Sequence, residues 1–268
     1  MSSSERFTKQ NGLVKMTIAG RKIPGWEDSM FLQEYVGVHA AMTTQIAAAV
    51  PILRKYTQVI AIPHEPVAQL PRGGHAPWDM VSTLEWTSLD DLYGSFQTPE
   101  YKASAGSHKF ADEGSQVGVL SKAVEEITLD AVGFEKRGET TTILQVFLAK
   151  SQGGDAQALS EEDLAERVAK IKDVGSGRGL LRYVANRPVM PSNLTTFFKG
   201  TPFSETDWSS TALMEQYWFP TRDAAVAFIK DNSSRGTLFS NLPNCLAEEK
   251  SFGIIGKENR VVEKGESN

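Results

Sequence analysis

Leu53-Arg54-Lys55-Tyr56-Thr57-Gln58 returns as Leu180-Leu181-Arg182-Tyr183-Val184-Ala185, and Trp86-Thr87-Ser88-Leu89-Asp90-Asp91 returns as Phe219-Pro220-Thr221-Arg222-Asp223-Ala224. The first pair lies 127 residues apart and the second 133, so a six-residue insertion in the later copy brings both into one register. Each copy reads strand, helix, strand, loop, strand, helix, strand. A four-stranded split βαβ sheet covers only one face with its own helices. The other face needs a partner, and a tandem copy supplies one. Two units of ordinary domain size suit a chain of 268 residues.

In the first copy, residues 13–19 form a strand with Val14, Met16 and Ile18 on one face. A helix starts at Asp28 or Ser29, runs through Ala49 and is ended by Pro51. The β-branched run 52–62 is the second strand, and the Pro- and Gly-rich stretch 63–77, which holds His64 and His75, is a long loop. Residues 79–86 make the third strand. Ser88 caps a helix over 89–96, a further helical stretch covers 100–111, and 124–132 is the last strand of this copy. The second copy has strands at 140–149, 180–186, 211–219 and 251–255. Its first helix opens on Ser160-Glu161-Glu162-Asp163, a capping box, and its second covers 221–230. From Lys257 the tail is charged and is expected to fray.

Composition narrows the functional classes. A hydrophobic share of 40% with 23% charged residues is that of a soluble globular protein, and a net charge of −5 points to neither nucleic acid nor an anionic membrane. The polar N-terminus has no signal-peptide core, no apolar run reaches bilayer length, and the single cysteine, Cys245, fits a reducing compartment, so a cytoplasmic location is expected. One cysteine and histidines without H-x-H or HExxH spacing predict no metal site. Gly175-Ser176-Gly177-Arg178-Gly179 is glycine-rich, but it runs from helix into strand, the reverse of a phosphate loop. No G-x-S-x-G nucleophile elbow is present.

Phe31-x3-Tyr35-x3-His39 on the first helix, Leu53-Arg54-Lys55-Tyr56 on the second strand, Glu85-Trp86-Thr87-Ser88-Leu89-Asp90 at the second helix and Pro99-Glu100-Tyr101 after it form an ordered set. Together they resemble the EthD family of dimeric α/β-barrel proteins, above all its members in fungal polyketide pathways. The resemblance covers most of residues 13–132. Over 140–256 it rests on the Tyr183 strand and the Phe219–Asp223 corner. It implies an α+β fold of two ferredoxin-like βαββαβ units packed sheet to sheet as a pseudo-dimeric α/β barrel. Unit 12–135 would carry the active site, and unit 136–256 would be diverged. Relatives of this kind include cofactor-free decarboxylases, ring-forming cyclases, isomerases and monooxygenases, and the fold does not choose among them.

All four histidines, His39, His64, His75 and His108, lie in the first copy, so one pocket of the two is expected to be active. Phe31, Tyr35 and His39 are spaced i, i+4, i+8 on one helix face, with Met42 and Ile46 continuing it. A histidine there sits between helix and sheet, where partial desolvation suits acid–base work; the same position also suits a core histidine bonded to a backbone carbonyl. Tyr35 serves either as a hydrogen-bond partner for a phenolic or carboxyl oxygen or as core. His108 is either a second acid–base group beside Tyr101 or a solvated histidine, and the His64–His75 loop either a lid or plain surface. Phe31, Tyr56, Trp86 and Tyr101 are the expected substrate-binding residues. Arg54, Tyr56 and Gln58 share one face of the second strand, and which face of the third strand lines the pocket stays open.

The expected function is a cofactor-independent lyase, a decarboxylase or cyclase, acting on an aromatic or polyketide-like small molecule with His39, Tyr35 and His108 as its catalytic groups. The alternatives are a cofactor-free monooxygenase and a non-catalytic small-ligand carrier. No cofactor, nucleic acid or membrane partner is expected, and the assembly is a pseudo-dimeric monomer or a homodimer.

Overall fold

The computed structural model of the protein describes residues 13–50, 52–62, 70, 77–104, 109–136, 138, 141–151, 159–240 and 242–264. Its strands are β1 (Val14–Gly20), β2 (Leu53–Ala61), β3 (Met80–Trp86), β4 (Val117–Thr128), β5 (Thr142–Lys150), β6 (Arg182–Pro188), β7 (Thr211–Phe219) and β8 (Leu246–Glu263). They close into one antiparallel barrel in the order β1-β3-β2-β8-β5-β7-β6-β4. Within 14–128 the order is β4-β1-β3-β2, and within 142–263 it is β8-β5-β7-β6. Counted from its own first strand, each half has the same order.

The halves do more than pack face to face. They are zipped edge to edge at two seams, β2 against β8 and β4 against β6. An open sheet edge leaves backbone N–H and C=O groups without partners, and closure removes every edge at once. This explains the end of the chain. β8 runs on to Glu263, pairing Ala61 with Gly256 through Lys55 with Glu263, where the sequence predicts a strand ending at 255 and a frayed tail. The unpaired edge of β2 holds that tail in register.

The helices lie outside the barrel. α1 (Asp28–Leu32), a π-helical turn (Gln33–His39) and α2 (Ala40–Ala49) form one continuous rod. α3 (Leu89–Gln97) and α4 (Pro99–Ala103) follow β3, and α5 (Ala131–Glu135) joins the halves. The second half carries α6 (Glu161–Gly175), the short α7 (Leu194–Phe197), α8 (Arg222–Lys230) and α9 (Asn232–Phe239). Capping follows the sequence reading. Ser88 Oγ accepts from Asp91 N and Ser160 Oγ from Asp163 N, each at 3.0 Å. Two first-half boundaries differ from it: α4 stops at Ala103, and β4 begins at Val117 because Val117 and Val119 point into the barrel and pair with β1. Among the described residues no helix is long and apolar enough to cross a membrane.

Strand alternation sorts the core into layers. Val59, Val81, Val119, Ile143, Met214 and Ile254 fill the barrel interior from both halves. There the Phe252 ring stacks on both Trp78 and Phe147, at 4.7 Å each. Met16, Ile18, Leu53 and Trp86 of the strands pack with Leu92 and Phe96 of α3 in the first half, and Leu144, Val146 and Leu213 of the strands with Leu164 and Ile171 of α6 and Phe228 of α8 in the second.

Gly256 sits in the β2–β8 seam, where an added Cβ would lie 2.4 Å from Ile60 O and 2.5 Å from Val59 Cγ1. Gly256→Ala is expected to push the seam apart and cost about 1–3 kcal/mol of stability, the usual range for overpacking, as read from the urea midpoint.

Candidate active site

The first helix owes its inward face to the π-turn. Residues spaced four apart on an α-helix drift by about 40° per step, so Phe31, Tyr35, His39 and Thr43 would spread over about 120°. The π-turn over Gln33–His39 absorbs an extra residue, which takes back about 100° and lines the four up. Phe31, Tyr35 and Thr43 are buried and His39 half-buried. Past the turn the stripe continues through Thr43, Ile46 and Ala47; Met42 falls beside it.

The rod does not lie flat on the sheet. Between α2 and the outer faces of β1 and β3 is a narrow, mostly apolar cavity of ≈80 Å³. Met16, Ile18, Met80 and Leu84 form its floor, Thr43 and Ile46 one wall, and Phe96, Tyr101 and Phe110 another. Pro202 and Phe203, from the second half, close one side. The polar groups on this surface are few: His39, Thr43, Ser82, Ser95, Trp86, Tyr101 and Gln116 inside, with Lys109 and Glu113 paired at 3.3 Å.

His39 reaches the cavity from the helix. Its ring lies 4.4 Å from that of Phe110 and meets the Tyr56 ring edge-on at 6.1 Å. Trp86 Nε1 and Tyr101 Oη are buried and make no hydrogen bond among the described residues. Burial raises the Tyr101 hydroxyl above the ordinary phenol value, so it stays a donor across the neutral range.

Beneath the cavity is a fully bonded network. Tyr35 Oη donates to Val81 O at 3.0 Å and lies 3.0 Å from Ser82 Oγ. Gln58 Nε2 donates to Tyr35 O at 2.6 Å and to Tyr56 Oη at 3.0 Å, while Gln58 Oε1 accepts from Asn259 of β8 at 2.8 Å. Gln58 thereby grips the backbone inside the π-turn. Desolvation holds the Tyr35 hydroxyl well above its usual range and raises that of Tyr56.

The second half fills the equivalent space. Counting from the Trp86/Phe219 match, Glu215 stands where Ser82 stands in the first half. α6 has no π-turn and buries Arg167 against Glu215 through Nε–Oε1 at 2.7 Å and Nη2–Oε2 at 2.6 Å. Tyr183 and Tyr217 donate to the same carboxylate at 2.6 and 2.8 Å, and Arg167 also donates to Thr237 O and Leu238 O.

Of the expected site residues, the structure brings His39, Trp86 and Tyr101 together around the cavity. Phe31, Tyr35 and Tyr56 are not among its lining side chains. They form the packing below it, with Phe31 stacked on Tyr35 at 5.4 Å. Tyr35 thus stands as a bonded strut beneath the cavity, because its hydroxyl is already spent on Val81 and Ser82. His64, His75 and His108 lie outside the described residues. Sequence reasoning missed Thr43, Ser82, Phe110 and Phe203. Thr43 continues the four-residue spacing from His39 and was findable; Phe203 approaches from the other copy and left no local signal.

Residues 23–114 match the EthD domain. Chalcone isomerase cfoK of Aspergillus candidus is 33% identical over 258 residues, spanning 96% of this chain and 100% of that protein. The chain belongs to the EthD family. Among solved structures, an anthrone oxidase-like protein aligns with a TM-score of 0.57 at 12% identity, over 97% of this chain and 98% of its own, a likeness of fold. In this EthD protein the matched segment carries the π-turn, His39, β2, β3 and Tyr101, so it supplies most of the cavity wall.

The buried ion pair of the second half gives a stability test. Arg167→Met leaves the Glu215 charge buried without its cation, and a loss of about 3–5 kcal/mol is expected in denaturant unfolding.

Proposed function

We propose that this EthD-family protein is a cofactor-independent cyclase that isomerises a flat phenolic, polyketide-type substrate by proton transfer at His39. The observation that carries the reading is the cavity's chemistry: a narrow apolar slot holding, among the described residues, one imidazole and two buried donors without a hydrogen-bond partner, Trp86 Nε1 and Tyr101 Oη. The 33% identical relative, named a chalcone isomerase, supports a ring closure over the other reactions the fold hosts.

In this mechanism the neutral His39 imidazole takes the proton from a substrate phenol. The phenolate oxygen adds to the far carbon of a conjugated enone, and the C=C π electrons move onto the carbonyl oxygen. Trp86 and Tyr101 donate hydrogen bonds to that oxygen as its charge develops, in surroundings where such bonds are stronger than in water. The imidazolium returns its proton to the carbon next to the carbonyl. One C–O bond forms, one π bond is lost, and the product has the mass of the substrate. Tyr35, Phe31, Tyr56 and Gln58 position His39 by holding the π-turn. On this reading residues 12–135 are the active unit and residues 136–256, together with the rest of β8 to Glu263, the supporting one.

The test is turnover of a phenolic enone such as 2′-hydroxychalcone. A product of unchanged mass, formed without oxygen uptake or carbon dioxide release, is expected; oxygen uptake sinks the reading in favour of a monooxygenase. His39→Ala is expected to keep its circular dichroism spectrum and to lose about 10²–10⁴ in kcat. Tyr101→Phe, which removes one donor to the developing oxyanion, is expected to lose about 10²–10³.

A further inference from the structure

Gln116 lines the His39 cavity, yet the proton transfers above give it no task. It stands just before β4, where a segment of the second half crosses the strand. Asp207 N donates to Gln116 O at 3.1 Å, and Gly118 N donates to Asp207 O at 2.9 Å. Gly118 lets the segment lie this close, because an added Cβ would fall 2.6 Å from Trp208 Cζ3 and 2.9 Å from Thr206 Cγ2. Trp208 in turn stacks on Phe198 at 4.1 Å and donates through Nε1 to Phe203 O at 3.1 Å. Thr206 is thus delivered to Gln116 on a braced support.

Thr206 Oγ1 donates to Gln116 Oε1 at 2.8 Å, and the two residues are 6% and 7% exposed. A carboxamide carries one acceptor oxygen and one donor NH2 group. Thr206 takes the oxygen, so what Gln116 has left to offer the cavity is a donor. Among the described residues nothing accepts from that nitrogen. A buried donor without an acceptor costs its desolvation, a cost that a ligand oxygen removes. The place of this donor follows from the strand register. β1 pairs with β3 from Val14 opposite Trp86 to Gly20 opposite Met80, and Gln116 Cγ lies 3.8 Å from where a Gly20 Cβ would stand. Gln116 and Trp86 therefore stand toward opposite ends of the cavity floor.

We propose that Gln116 is a specificity-determining residue of the His39 cavity: its amide nitrogen donates to a second ring oxygen of the substrate, in an orientation that Thr206 of the other half fixes. This rests on the ring-closure reading, in which Trp86 and Tyr101 hold the substrate carbonyl. The ring position para to that carbonyl points directly away from it, toward the Gln116 end. A hydroxyl or methoxyl oxygen there meets the donor, whereas a hydrogen or a methyl group leaves it unmatched. The second half, whose own pocket is filled by the Arg167–Glu215 pair, thereby takes part in choosing the substrate.

The test compares 2′-hydroxychalcone with 2′,4′-dihydroxychalcone, whose added hydroxyl is para to the carbonyl. The full chain is expected to favour the dihydroxy compound in kcat/KM by about three- to tenfold, mostly through KM. Gln116→Leu is expected to abolish that preference, and Thr206→Val, which frees the amide to turn, to reduce it. If Gln116→Leu does not fold, Gln116→Met is read by the same criterion. No preference in the full chain, or a preference unchanged in the Gln116 variant, overturns the proposal. If neither chalcone is turned over, the ring-closure reading fails by itself, and the preference is read from dissociation constants by tryptophan fluorescence quenching. Equal constants for the two compounds in the full chain, a ratio unchanged in the Gln116 variant, or no saturable binding of either then overturns this proposal as well.

Discussion

The two backbone seams, β2 with β8 and β4 with β6, are the constraint on which everything else in this protein depends. Each half alone would present two open strand edges and one bare sheet face. Joining the halves spends all four edges on one another and turns both bare faces into a common interior. Closure also fixes the pleat, so every strand residue is assigned either to the lumen or to the helix side. Lys15 and Met16 are adjacent in the chain and serve opposite sides of the wall.

The two halves, alike in strand order, carry different solutions at equivalent places. In the first half, Ser82 is small, and the π-turn brings Tyr35, His39 and Thr43 onto one face; a cavity remains between helix and sheet. In the second, Glu215 and Arg167 meet across that space, with two tyrosines completing the carboxylate's bonds. A buried ion pair repays its desolvation only when its geometry is complete, and this one leaves neither oxygen of the carboxylate without a donor. The second half has closed its pocket by filling it with satisfied charge, which is consistent with its lack of any histidine.

The second copy still serves the first. Pro202 and Phe203 wall one side of the His39 cavity, Thr206 donates to Gln116 at 2.8 Å, and Asn259 of β8 holds the Gln58 amide that grips the π-turn. A largely apolar surround keeps the buried phenols protonated and makes the few hydrogen bonds inside it count for more. On the proposed reading, that is the setting in which His39 would transfer protons.

The repeat of Tyr56 as Tyr183 and of Trp86 as Phe219, the alternation of the strands, the caps at Ser88 and Ser160, and the Phe31–Tyr35–His39 stripe were all legible in the sequence. Apart from the repeat, which is read by setting segments 127 and 133 residues apart side by side, each is a local rule written in spacings of two to eight residues. Tyr101 and Trp86, which line the cavity, could be singled out for the same reason, through the short motifs they stand in. What lay beyond reach depends on groups brought together from far along the chain. Lys15 meets Gln216 across 201 residues, and Phe203 reaches a pocket built by residues a hundred positions earlier. The charged tail of β8 became strand only because β2 offered it an unpaired edge. Tyr35 left the list of groups facing the cavity because Val81 and Ser82 took its hydroxyl. Periodicity determined which elements exist and which residues they bury; the closing of the barrel decided what those residues meet, because hydrogen-bond partners and cavity walls are set by distance in space, which local spacing does not encode.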